Sequence, residues 1–448
     1  SSSAAIATNS TRLDGESYVY QARFNSGDWS GDLVAFRINR DGTVSQNPRW
    51  SAAENLDQRT VEQRKVITIN SATGQQVRFD WNEISAAQRT ALGGDGVGQR
   101  TLSYVLGHHG DEIRNGGTFR NRESRFADIV NSDPAYTGRE TFGYQSVAGV
   151  EGTSYPEFVF SKRQRDPMIY VGSNGGMLHG LDANTGVERF AYVPSFLIPQ
   201  LPLLTDPQYT HRYFVDGSPT VTDAYIGGQW RTVLVGTAGA GGRGMFALDV
   251  SDPDAPSVLW EIGPGHPAYE HMGEGMDEVS LVRTVVGTGG NRETRWVVVA
   301  GNGYNSPTHQ SALIILNAET GALEAALSTG QGSLSTRNGM APVVAVSSSD
   351  DVRTADTIYG GDLLGNLWKF TQNNQGQWRI DNNRPVFRAV RGTTPQPITA
   401  KPEVGMNDSG DMMIFIGTGK YLESVDTETS GGIQSLYGII DNANNTIT

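Results

Sequence analysis

A short unit of strands and turns recurs along the chain and constrains its fold more than any other feature. In its clearest copy, Met168–Val193, an apolar run leads through a glycine turn into a second apolar run. That run ends in a second turn, Asp182-Ala183-Asn184-Thr185-Gly186, before a third strand. Glycine supplies the positive φ angles that tight turns need. The unit therefore predicts a small antiparallel sheet.

The pattern is repeated in five further stretches, which are Ser17–Ala52, Arg231–Gly263, Arg295–Leu327, Thr357–Ile380 and Met413–Asn445. The second strand of each copy ends at Asp41, Asp182, Asp249, Asn317, Thr371 or Asp441, with spacings of 67, 68, 54 and 70 residues after Asp182. One such sheet cannot bury both of its faces, and packing copies around an axis solves that problem. The repeats therefore predict an all-β fold, a β-propeller with six countable repeats, inserted loops and short helices.

A single β-propeller domain is predicted over residues 1–448, because a propeller folds as one body whatever its number of repeats. The interval from Asp41 to Asp182 is too long for one blade, so residues from about 53 to 167 hold an insertion or a degenerate blade. Within it, Thr60–Asp80 predicts a hairpin. Short helices are expected at Ile84–Leu92, after a capping box of Asp80 and Glu83, and at Arg100–Leu106.

Composition excludes several classes of function. The formal net charge of −13 argues against nucleic acid as a partner, since that affinity comes mostly from Lys and Arg. The chain has no cysteine, which excludes disulfides, thiolate metal sites and a cysteine nucleophile. No apolar run is long enough for a transmembrane segment. Because Ser1–Ala5 lack both Met and an apolar signal region, we expect that preceding residues were removed.

Two loops combine histidines with carboxylates. Gly107–Gly117 contains His108, His109, Asp111 and Glu112, and Gly263–Asp277 contains two histidines and three carboxylates. Imidazole and carboxylate groups are metal ligands. However, adjacent histidines point in different directions, and no nucleophile, paired base or HExxH helix accompanies either loop. Both are predicted to be solvent-exposed polar loops.

The segment Phe119–Pro134 brings Arg120, Arg122 and Arg125 close in sequence to Glu123 and Asp128. A clamp for phosphate or carboxylate is one interpretation, because arginine makes bidentate contacts with both. Ion pairing within the segment is the favoured one.

Gly239, Gly241 and Gly244 form a GxGxxG pattern after a strand. A dinucleotide site needs a helix N-terminus after these glycines, whereas Met245–Val250 predicts another strand. We therefore expect the glycines to form a hairpin turn.

Four stretches resemble one family of proteins. These stretches are Asn25–Phe36, Phe119–Pro134, His211–Val250 and Tyr359–Phe370. They look like the C-terminal propeller domain of the PilC/PilY proteins of type IV pili. The resemblance implies a modified seven-bladed, quinoprotein-like propeller in an extracellular protein at the pilus tip or outer-membrane surface. It also implies a large N-terminal region that this chain lacks, so a domain fragment is expected.

The same resemblance implies a non-enzymatic type IV pilus biogenesis factor and tip-associated adhesin. Such a protein supports pilus assembly, retraction control, twitching motility and surface attachment through protein–protein contacts. Its expected partners are minor pilins, the pilus tip complex and a receptor on a host cell or abiotic surface. No enzymatic cofactor is expected.

Two alternative functions stay open at this point. The turns LDANTG and LNAETG resemble those of pyrroloquinoline-quinone propellers, which suggests a quinoprotein-like dehydrogenase. Such turns lock blades together and carry no chemistry, and without cysteine the chain cannot form the vicinal disulfide usual beside that cofactor. The other alternative is a structural interaction scaffold, since a fold does not determine a function.

The resemblance also places a calcium loop just before Tyr359. Family members supply carboxylates at positions one, three, five and nine, which suits the oxygen preference of calcium. With Asp356 at the ninth position, the others hold Ser348, Asp350 and Val352, so two expected carboxylates are missing. Asp350 and Asp356 are the candidate calcium ligands, and the ligand count favours a turn that has lost calcium.

Overall fold

The computed structural model describes residues 2–8, 17–287, 291–349, 353–422 and 432–442, with the backbone alone for residues 2–8. The chain divides into two compact units. The first comprises Ser1–Phe142, Thr153–Asp223 and Trp230–Pro264, and the second comprises Gly143–Gly152, Ala224–Gln229 and Gly265–Thr448. The assignment of one propeller domain to the whole chain stays a prediction.

Three sheets contain the strands up to residue 262, and nearly all of their neighbouring strands are antiparallel. The first has the order β1-β2-β3-β4, with β1 Ser2–Thr8, β2 Ser17–Asn25, β3 Ser30–Ile38 and β4 Val44–Ser51. The second has the order β6-β5-β10-β9-β8-β7, with β5 Val66–Ile69, β6 Gln76–Arg78, β7 Ala135–Thr137, β8 Met168–Ser173, β9 Met177–Asp182 and β10 Glu188–Tyr192. The third has the order β11-β12-β13-β14, with β11 Thr220–Ile226, β12 Gln229–Thr237, β13 Met245–Asp249 and β14 Ser257–Ile262.

The remaining strands form four more sheets. One has the order β15-β16-β17-β18, with β15 Ser280–Val286, β16 Glu293–Gly301, β17 Ala312–Asn317 and β18 Leu323–Ser328. The next has the order β19-β20-β21-β22 with β23 also on β21, where β19 is Val344–Val346, β20 Thr357–Gly361, β21 Asn366–Gln372, β22 Trp378–Ile380 and β23 Phe387–Arg388. A two-stranded ribbon pairs β24 Val390–Arg391 with β25 Thr394–Pro395, and the last sheet has the order β26-β27-β28, with β26 Glu403–Met406, β27 Met412–Gly417 and β28 Leu436–Asp441.

The sequence repeats coincide with these sheets. The clearest copy becomes β8, β9 and β10, paired in sequence order, so its predicted strands are confirmed. Its turn closes because Asp182 Oδ1 accepts hydrogen bonds from the N–H groups of Asn184 and Thr185 at 2.9 and 3.1 Å. Asn317 Oδ1 accepts the equivalent pair of bonds in a later sheet, both at 3.0 Å. The described residues contain six sheets of three or more strands, and the total blade count stays a prediction.

Four α-helices are described, namely α1 Ala52–Gln58, α2 Ala86–Leu92, α3 Val97–Leu106 and α4 Gly149–Lys162. The expected helices correspond to α2 and α3, but the predicted capping box is wrong. Ser85 is the N-cap of α2, where its Oγ accepts from Gln88 N at 3.1 Å and Gln88 Oε1 accepts from Ser85 N at 2.8 Å. Asp80 instead closes the preceding turn by accepting from Asn82 N at 2.9 Å.

The long interval between the first two repeats contributes strands to a neighbouring sheet. The expected hairpin forms as β5 and β6, which pair antiparallel. Strand β5 then pairs in parallel with β10, while β7 pairs with β8 on the opposite side of the same sheet. Among the described residues, this interval therefore forms helices and added strands rather than a separate sheet.

Each unit has its own apolar interior. In the first unit, apolar strands and the segment Ser195–Thr205 pack against α2 and α3 around residues such as Phe190 and Tyr192. A second cluster in this unit contains Phe126 and Ile129, which hold the segment Phe119–Pro134 against the sheets. In the second unit, β16, β17 and β20 contribute to a core that includes Trp368. These interiors fix the positions of the polar groups described next.

Candidate functional site

Two of the four stretches that carry the family resemblance, Asn25–Phe36 and Phe119–Pro134, line one cleft of the first unit. His211, from a third stretch, contacts Trp29 and Asp128 of this cleft. Trp29 has a left-handed φ of 58°, and its ring lies 3.8 Å from the ring of His211 between centroids. Gly31 approaches the segment Phe119–Pro134 so closely that a Cβ would lie 2.1 Å from the carbonyl oxygen of Ala127. A side chain larger than hydrogen at position 31 would separate these segments.

Asp128 is the polar centre of this cleft. It is only 1% exposed, its Oδ2 accepts a hydrogen bond from Asn174 Nδ2 at 2.7 Å, and His211 Nε2 lies 2.7 Å from the same oxygen. Asn174 N also donates to the carbonyl of Asp128 at 2.9 Å, while Asn174 Oδ1 accepts from Phe214 N at 3.0 Å. A buried carboxylate needs such partners because burying an unpaired charge is costly.

The three arginines of the segment Phe119–Pro134, which also contains Asp128, bind largely to main-chain carbonyls. Arg125 Nε donates to the carbonyl of Gly107 at 2.9 Å, and Arg120 likewise donates to carbonyl oxygens. Arg122 pairs with a carboxylate, but that carboxylate is Glu112, 2.9 Å away and outside the segment. The prediction of ion pairing within Phe119–Pro134 is therefore wrong, since carbonyl contacts and Glu112 replace the expected partners.

The burial of Glu112 contradicts the prediction that Gly107–Gly117 is a solvent-exposed loop. Its side chain is 0% exposed, and its oxygens lie 2.7 Å from His109 Nδ1, 2.9 Å from Arg122 Nε and 3.2 Å from Arg114 Nε. Burial by itself raises the pKa of Glu112, but hydrogen bonds and charge from His109 and Arg122 outweigh burial and hold that pKa below its usual value. The loop thus carries an internal ion-pair cluster, while His108 is 42% exposed.

A third buried carboxylate, Glu188, binds Arg64 and His179, which both line the same cleft. Arg64 binds Glu188 through both of its oxygens at 2.8 and 2.9 Å, and His179 Nδ1 lies 2.8 Å from Oε2. Burial alone would raise the pKa of Glu188. Arg64 and His179 together lower that pKa by more than burial raises it, so the pKa lies well below its usual range. Burial is also the main reason that the pKa of His179 is lowered. Sequence reasoning missed this trio, whose only sequence signal was a histidine inside an apolar strand.

A third buried ion pair holds α4. Lys162 Nζ lies 2.8 Å from Asp223 Oδ2, and the hydroxyl of Tyr155 donates to the same oxygen at 2.8 Å. Thr232 Oγ1 donates to the other oxygen at 3.1 Å. The side chains of Lys162 and Asp223 are 2% and 0% exposed. The pair therefore anchors the C-terminal end of α4 to β11.

The fourth family stretch, Tyr359–Phe370, is built around Asp362 in the second unit. Asp362 is 0% exposed. Its Oδ1 accepts from Leu364 N at 3.0 Å and from Asn366 N at 2.9 Å, and its Oδ2 accepts from Trp368 Nε1 at 2.8 Å and Asn338 Nδ2 at 3.0 Å. Neutral donors thus surround the carboxylate on both oxygens, and they tie β20 and β21 to the neighbouring loop.

The candidate calcium ligands lie before that stretch. Asp350 lies outside the described residues. Asp356 Oδ1 accepts hydrogen bonds from Ser348 N and Thr357 Oγ1 at 2.8 and 2.9 Å, and its Oδ2 accepts from Ser348 Oγ at 2.7 Å. With both oxygens of Asp356 engaged by donors and Val352 at a ligand position, this donor set fits calcium poorly.

The remaining polar candidates do not gather into a metal or catalytic centre in the part of the chain that the structure describes. His266 accepts from Ala268 N at 3.1 Å as the N-cap of a short 3-10 helix, and Glu274 accepts from Asn305 Nδ2 at 3.3 Å. No group of three or more His, Asp or Glu is placed to hold a metal ion among the described residues. The histidines and carboxylates of Gly263–Asp277 are therefore spread along their loop.

The glycine pattern at residues 239–244 forms a hairpin turn, as predicted. It connects β12 to β13, and no helix follows it. Gly239 and Gly244 have φ angles of 56° and 150°. At Gly241, a Cβ would lie 2.0 Å from the carbonyl oxygen of Phe214, so the glycine is needed for close packing rather than for a dinucleotide.

The buried carboxylates described above bind groups of the fold itself. The carboxylates of Asp128, Glu112, Glu188, Asp223 and Asp362 each bind donors from other parts of their own unit. Such networks rigidify an interior and position its loops. In the described residues, no helix is both long and apolar enough to cross a membrane.

Known proteins resemble this chain over most of its length. The family model described as the PilY1 beta-propeller domain matches residues 126–448. The type IV pilus biogenesis factor PilY1 homolog of Xylella fastidiosa is 38% identical over 442 residues, which cover 97% of this chain and 34% of that protein. The type IV pilus biogenesis factor PilY1 of Pseudomonas aeruginosa strain PAK is 35% identical over 464 residues, 95% of this chain and 38% of that protein.

A solved structure agrees with these sequence relatives. The crystal structure of the Pseudomonas aeruginosa PilY1 C-terminal domain matches with a TM-score of 0.56 and 34% identity, covering 69% of this chain and 65% of that chain. The chain spans about a third of the length of the curated relatives. The β-propeller prediction is confirmed by the family model. Since that model matches well over half of the chain, and relatives align with nearly all of it, the chain belongs to the PilY1 β-propeller domain family.

Proposed function

We propose that this domain acts in type IV pilus biogenesis through non-enzymatic protein–protein contacts. The observation that carries the proposal is the alignment with a type IV pilus biogenesis factor, 38% identical over 97% of this chain. The buried ionisable groups support it as well. Asp128, Glu188 and Asp362 are each engaged by groups of the fold itself, which suits a rigid platform that presents its loops and edges to partners.

The proposed location is extracellular, at the pilus tip or the outer-membrane surface. There the domain would act as a tip-associated adhesin and support retraction control, twitching motility and surface attachment. Minor pilins of the tip complex are the proposed partners, and a host cell or abiotic surface carries the proposed receptor. Nucleic acid, enzymatic cofactors and calcium have no part in the proposal.

The test compares strains that carry the full-length parent gene with strains whose gene lacks the segment encoding residues 1–448. Surface pili are counted by microscopy in a background without pilus retraction, because retraction can hide an assembly defect. We expect few or no pili without the domain and normal numbers with it.

Attachment to a surface is measured on the same strains. Normal pili with reduced attachment would assign the domain to adhesion rather than assembly. Normal pili together with normal attachment would overturn the proposal. Purified domain is also tested for binding to reconstituted minor-pilin complexes, with a heat-unfolded sample as the control.

A further inference from the structure

A second cavity in the first unit is much larger than the cleft around Asp128. Its volume is about 370 Å³, against about 30 Å³ for that cleft. The walls of this hairpin cavity are the 3-10 turn Val61–Gln63, the open end of the β5–β6 hairpin at Val66 and Arg78–Trp81, and helix α3. Pockets for small organic ligands have volumes of about 300–1,000 Å³, so the hairpin cavity is large enough to hold one.

Helix α3 presents one of its faces to the hairpin cavity. Gln99, Leu102, Ser103 and Leu106 line the cavity, and steps of three and four residues place side chains on the same side of a helix. Gln99 and Ser103 are more exposed than Leu102 and lie toward the mouth. Buried apolar side chains form the floor, namely those of Val61, Val66, Phe79 and Leu102.

Trp81 forms a half-buried aromatic wall of the hairpin cavity, and several contacts fix its position. The far end of its ring packs against α3, where a Cβ at Gly98 would lie 2.7 Å from Trp81 Cη2. The carbonyl of Trp81 accepts a hydrogen bond from Arg89 at 3.2 Å, and the same guanidinium lies 6.0 Å from the ring centroid. An aromatic wall that is already held in place can bind a ligand without first being ordered.

The polar side chains of the hairpin cavity retain hydrogen-bonding capacity. Arg78, Gln99 and Ser103 line it, and their side chains make no hydrogen bond or ion pair with any other described residue. Asp80 Oδ1 accepts from Asn82 N at 2.9 Å, whereas Asp80 Oδ2 has no donor among the described residues. These side chains include both donors and acceptors, so a ligand that does both would satisfy them.

The charges around the hairpin cavity nearly balance. Besides the carboxylate and the guanidinium just described, the cavity has a second carboxylate, Glu62, whose Oε1 lies 3.7 Å from His108 Nε2. A buried guanidinium, that of Arg64, is bound by Glu188 at 2.8 Å. Sites for anions concentrate cations, and sites for cations concentrate carboxylates or aromatic faces. This mixed lining therefore suits an uncharged ligand.

We propose that the hairpin cavity binds a neutral hexose. A pyranose ring has an apolar C–H face that can pack on Trp81, and its hydroxyl groups both donate and accept hydrogen bonds. Asp80 would accept from these hydroxyls, while Arg78 and Gln99 would donate to them. A wholly apolar ligand would instead cover these polar groups without pairing them, which is costly. The inference goes beyond the proposed function, which concerns contacts with proteins.

The experiment uses the 448-residue protein and the methyl glycosides of glucose, galactose, mannose, N-acetylglucosamine and N-acetylgalactosamine as probes. Binding is measured by saturation-transfer difference NMR with titration. We expect at least one probe to bind with a dissociation constant of about 1 mM, the order expected for a ligand of about a dozen non-hydrogen atoms.

Two sources offer this chemistry, namely a free sugar and the end of a glycan chain. The five free sugars are therefore titrated alongside the glycosides, in which the anomeric oxygen is blocked as it is in a glycan. Equal binding of a sugar and its glycoside would identify a glycan end as a ligand. Binding of the free sugar alone would identify a sugar in solution.

Variants locate the binding in the hairpin cavity. Trp81→Leu keeps an apolar side chain but removes the aromatic face, so we expect affinity to fall roughly tenfold or more. Asp80→Asn is nearly isosteric and keeps the acceptor for Asn82 N, but it replaces the free acceptor with a donor. It should weaken binding roughly fivefold without altering the fold. The melting temperature of each variant is measured to confirm that it is folded.

Gln99→Ala removes a donor at the mouth of the hairpin cavity and should weaken binding roughly threefold. Gln58→Ala is the matched control, because Gln58 is also an exposed helical glutamine but does not line the cavity. We expect its affinity to stay within about twofold of that of the unaltered protein.

The proposal is overturned if none of the sugars or glycosides binds, or if Trp81→Leu and Asp80→Asn both bind as tightly as the unaltered protein. Displacement of the bound sugar by inorganic phosphate would also overturn it, by assigning the cavity to an anion. Tighter binding of N-acetyltryptophanamide than of every sugar would assign the cavity to an aromatic side chain of a partner protein instead. None of these results would affect the pilus-biogenesis proposal, which is judged by pilus counts and attachment.

Discussion

Among single residues, Asp362 organises an extensive set of polar contacts in the second unit. Two main-chain N–H groups, the indole of Trp368 and the amides of Asn338 and Asn366 all donate to its carboxylate. These donors are neutral, so the carboxylate is stabilised by their number and geometry rather than by a cation. Asp362 explains physically why the stretch YGGDLLGNLW needs this spacing of Asp, Asn and Trp.

Replacing Asp362 with Ala should destabilise the protein strongly. Each buried donor that loses its partner costs roughly 1–3 kcal/mol, so we expect a loss of about 3 kcal/mol or more in the free energy of unfolding. The measurement is urea unfolding followed by circular dichroism. Asp408→Ala, at an exposed position, is the control and should change stability by less than about 0.5 kcal/mol. Equal effects of the two substitutions would contradict the structural role of Asp362.

His179 makes stability depend on pH. The pKa of His179 is lowered in the folded protein, chiefly by burial, so below its usual value of 6.5 the unfolded chain takes up a proton that the folded chain does not. Stability should therefore fall as the pH falls through this range. The lowered pKa of Glu188 acts in the same direction at lower pH, below its usual value of 4.5.

The prediction for His179 is tested by melting temperatures measured between about pH 7.5 and 5.5, a range that brackets the ordinary histidine pKa. We expect the decrease on acidification to be smaller in His179→Gln than in the unaltered protein. His108→Gln, at a half-exposed position, serves as the control and should leave the decrease unchanged. If His179→Gln shows the same decrease as the unaltered protein, the assignment to His179 is wrong.

Among the elements, α4 is one that sequence patterns did not predict. It contains Pro156, and proline normally argues against a helix interior because it removes a hydrogen-bond donor. Tertiary contacts compensate. The ring of Tyr155 lies 4.5 Å from that of Trp230, and Lys162 makes its buried ion pair with Asp223.

Removing the charge of Lys162 should weaken the attachment of α4. In Lys162→Met the carboxylate of Asp223 stays buried without its cation, and breaking a buried pair in this way costs about 3–5 kcal/mol. Urea unfolding measures the loss. Arg163→Met removes a neighbouring exposed charge and should be nearly neutral. A loss below about 1 kcal/mol in Lys162→Met would show that the pair is not important for stability.

The loop before β20 is the element for which the sequence suggested a calcium site. Because Asp356 is engaged by Ser348 and Thr357 and two family carboxylates are missing, we expect calcium to leave the melting temperature unchanged. Calorimetry with millimolar calcium or with a chelator tests this. A rise in melting temperature with calcium that disappears in Asp356→Ala would mean that the loop still binds the ion.

On the scale of the whole molecule, charge is the property that limits the choice of partners. The net charge of −13 means that long-range forces repel a polyanion. We expect no shift of double-stranded DNA in a gel-mobility assay at physiological salt. A shift that weakens steeply as salt increases would indicate phosphate binding and contradict the expectation.

The sequence by itself determined the repeated sheets and their turns. Residues such as Asp182, Gly186 and Asn317 act on main-chain groups only a few positions away, so their pattern predicts structure directly. Glycines required by close packing, as at Gly241, were likewise recognised as part of a hairpin. The family resemblance could also be recognised from the sequence, because it rests on contiguous stretches such as Tyr359–Phe370.

Only the tertiary structure decided which distant groups meet. Glu188 and Arg64 are 124 positions apart, and Lys162 and Asp223 are 61 apart, so no local spacing identifies these pairs. The glycines and polar residues around Glu112 predict an exposed loop, because they give no indication that Arg122 packs over the Glu112 carboxylate and buries it. Local sequence specifies turns and strands, whereas burial and partner choice arise when separate segments are brought together.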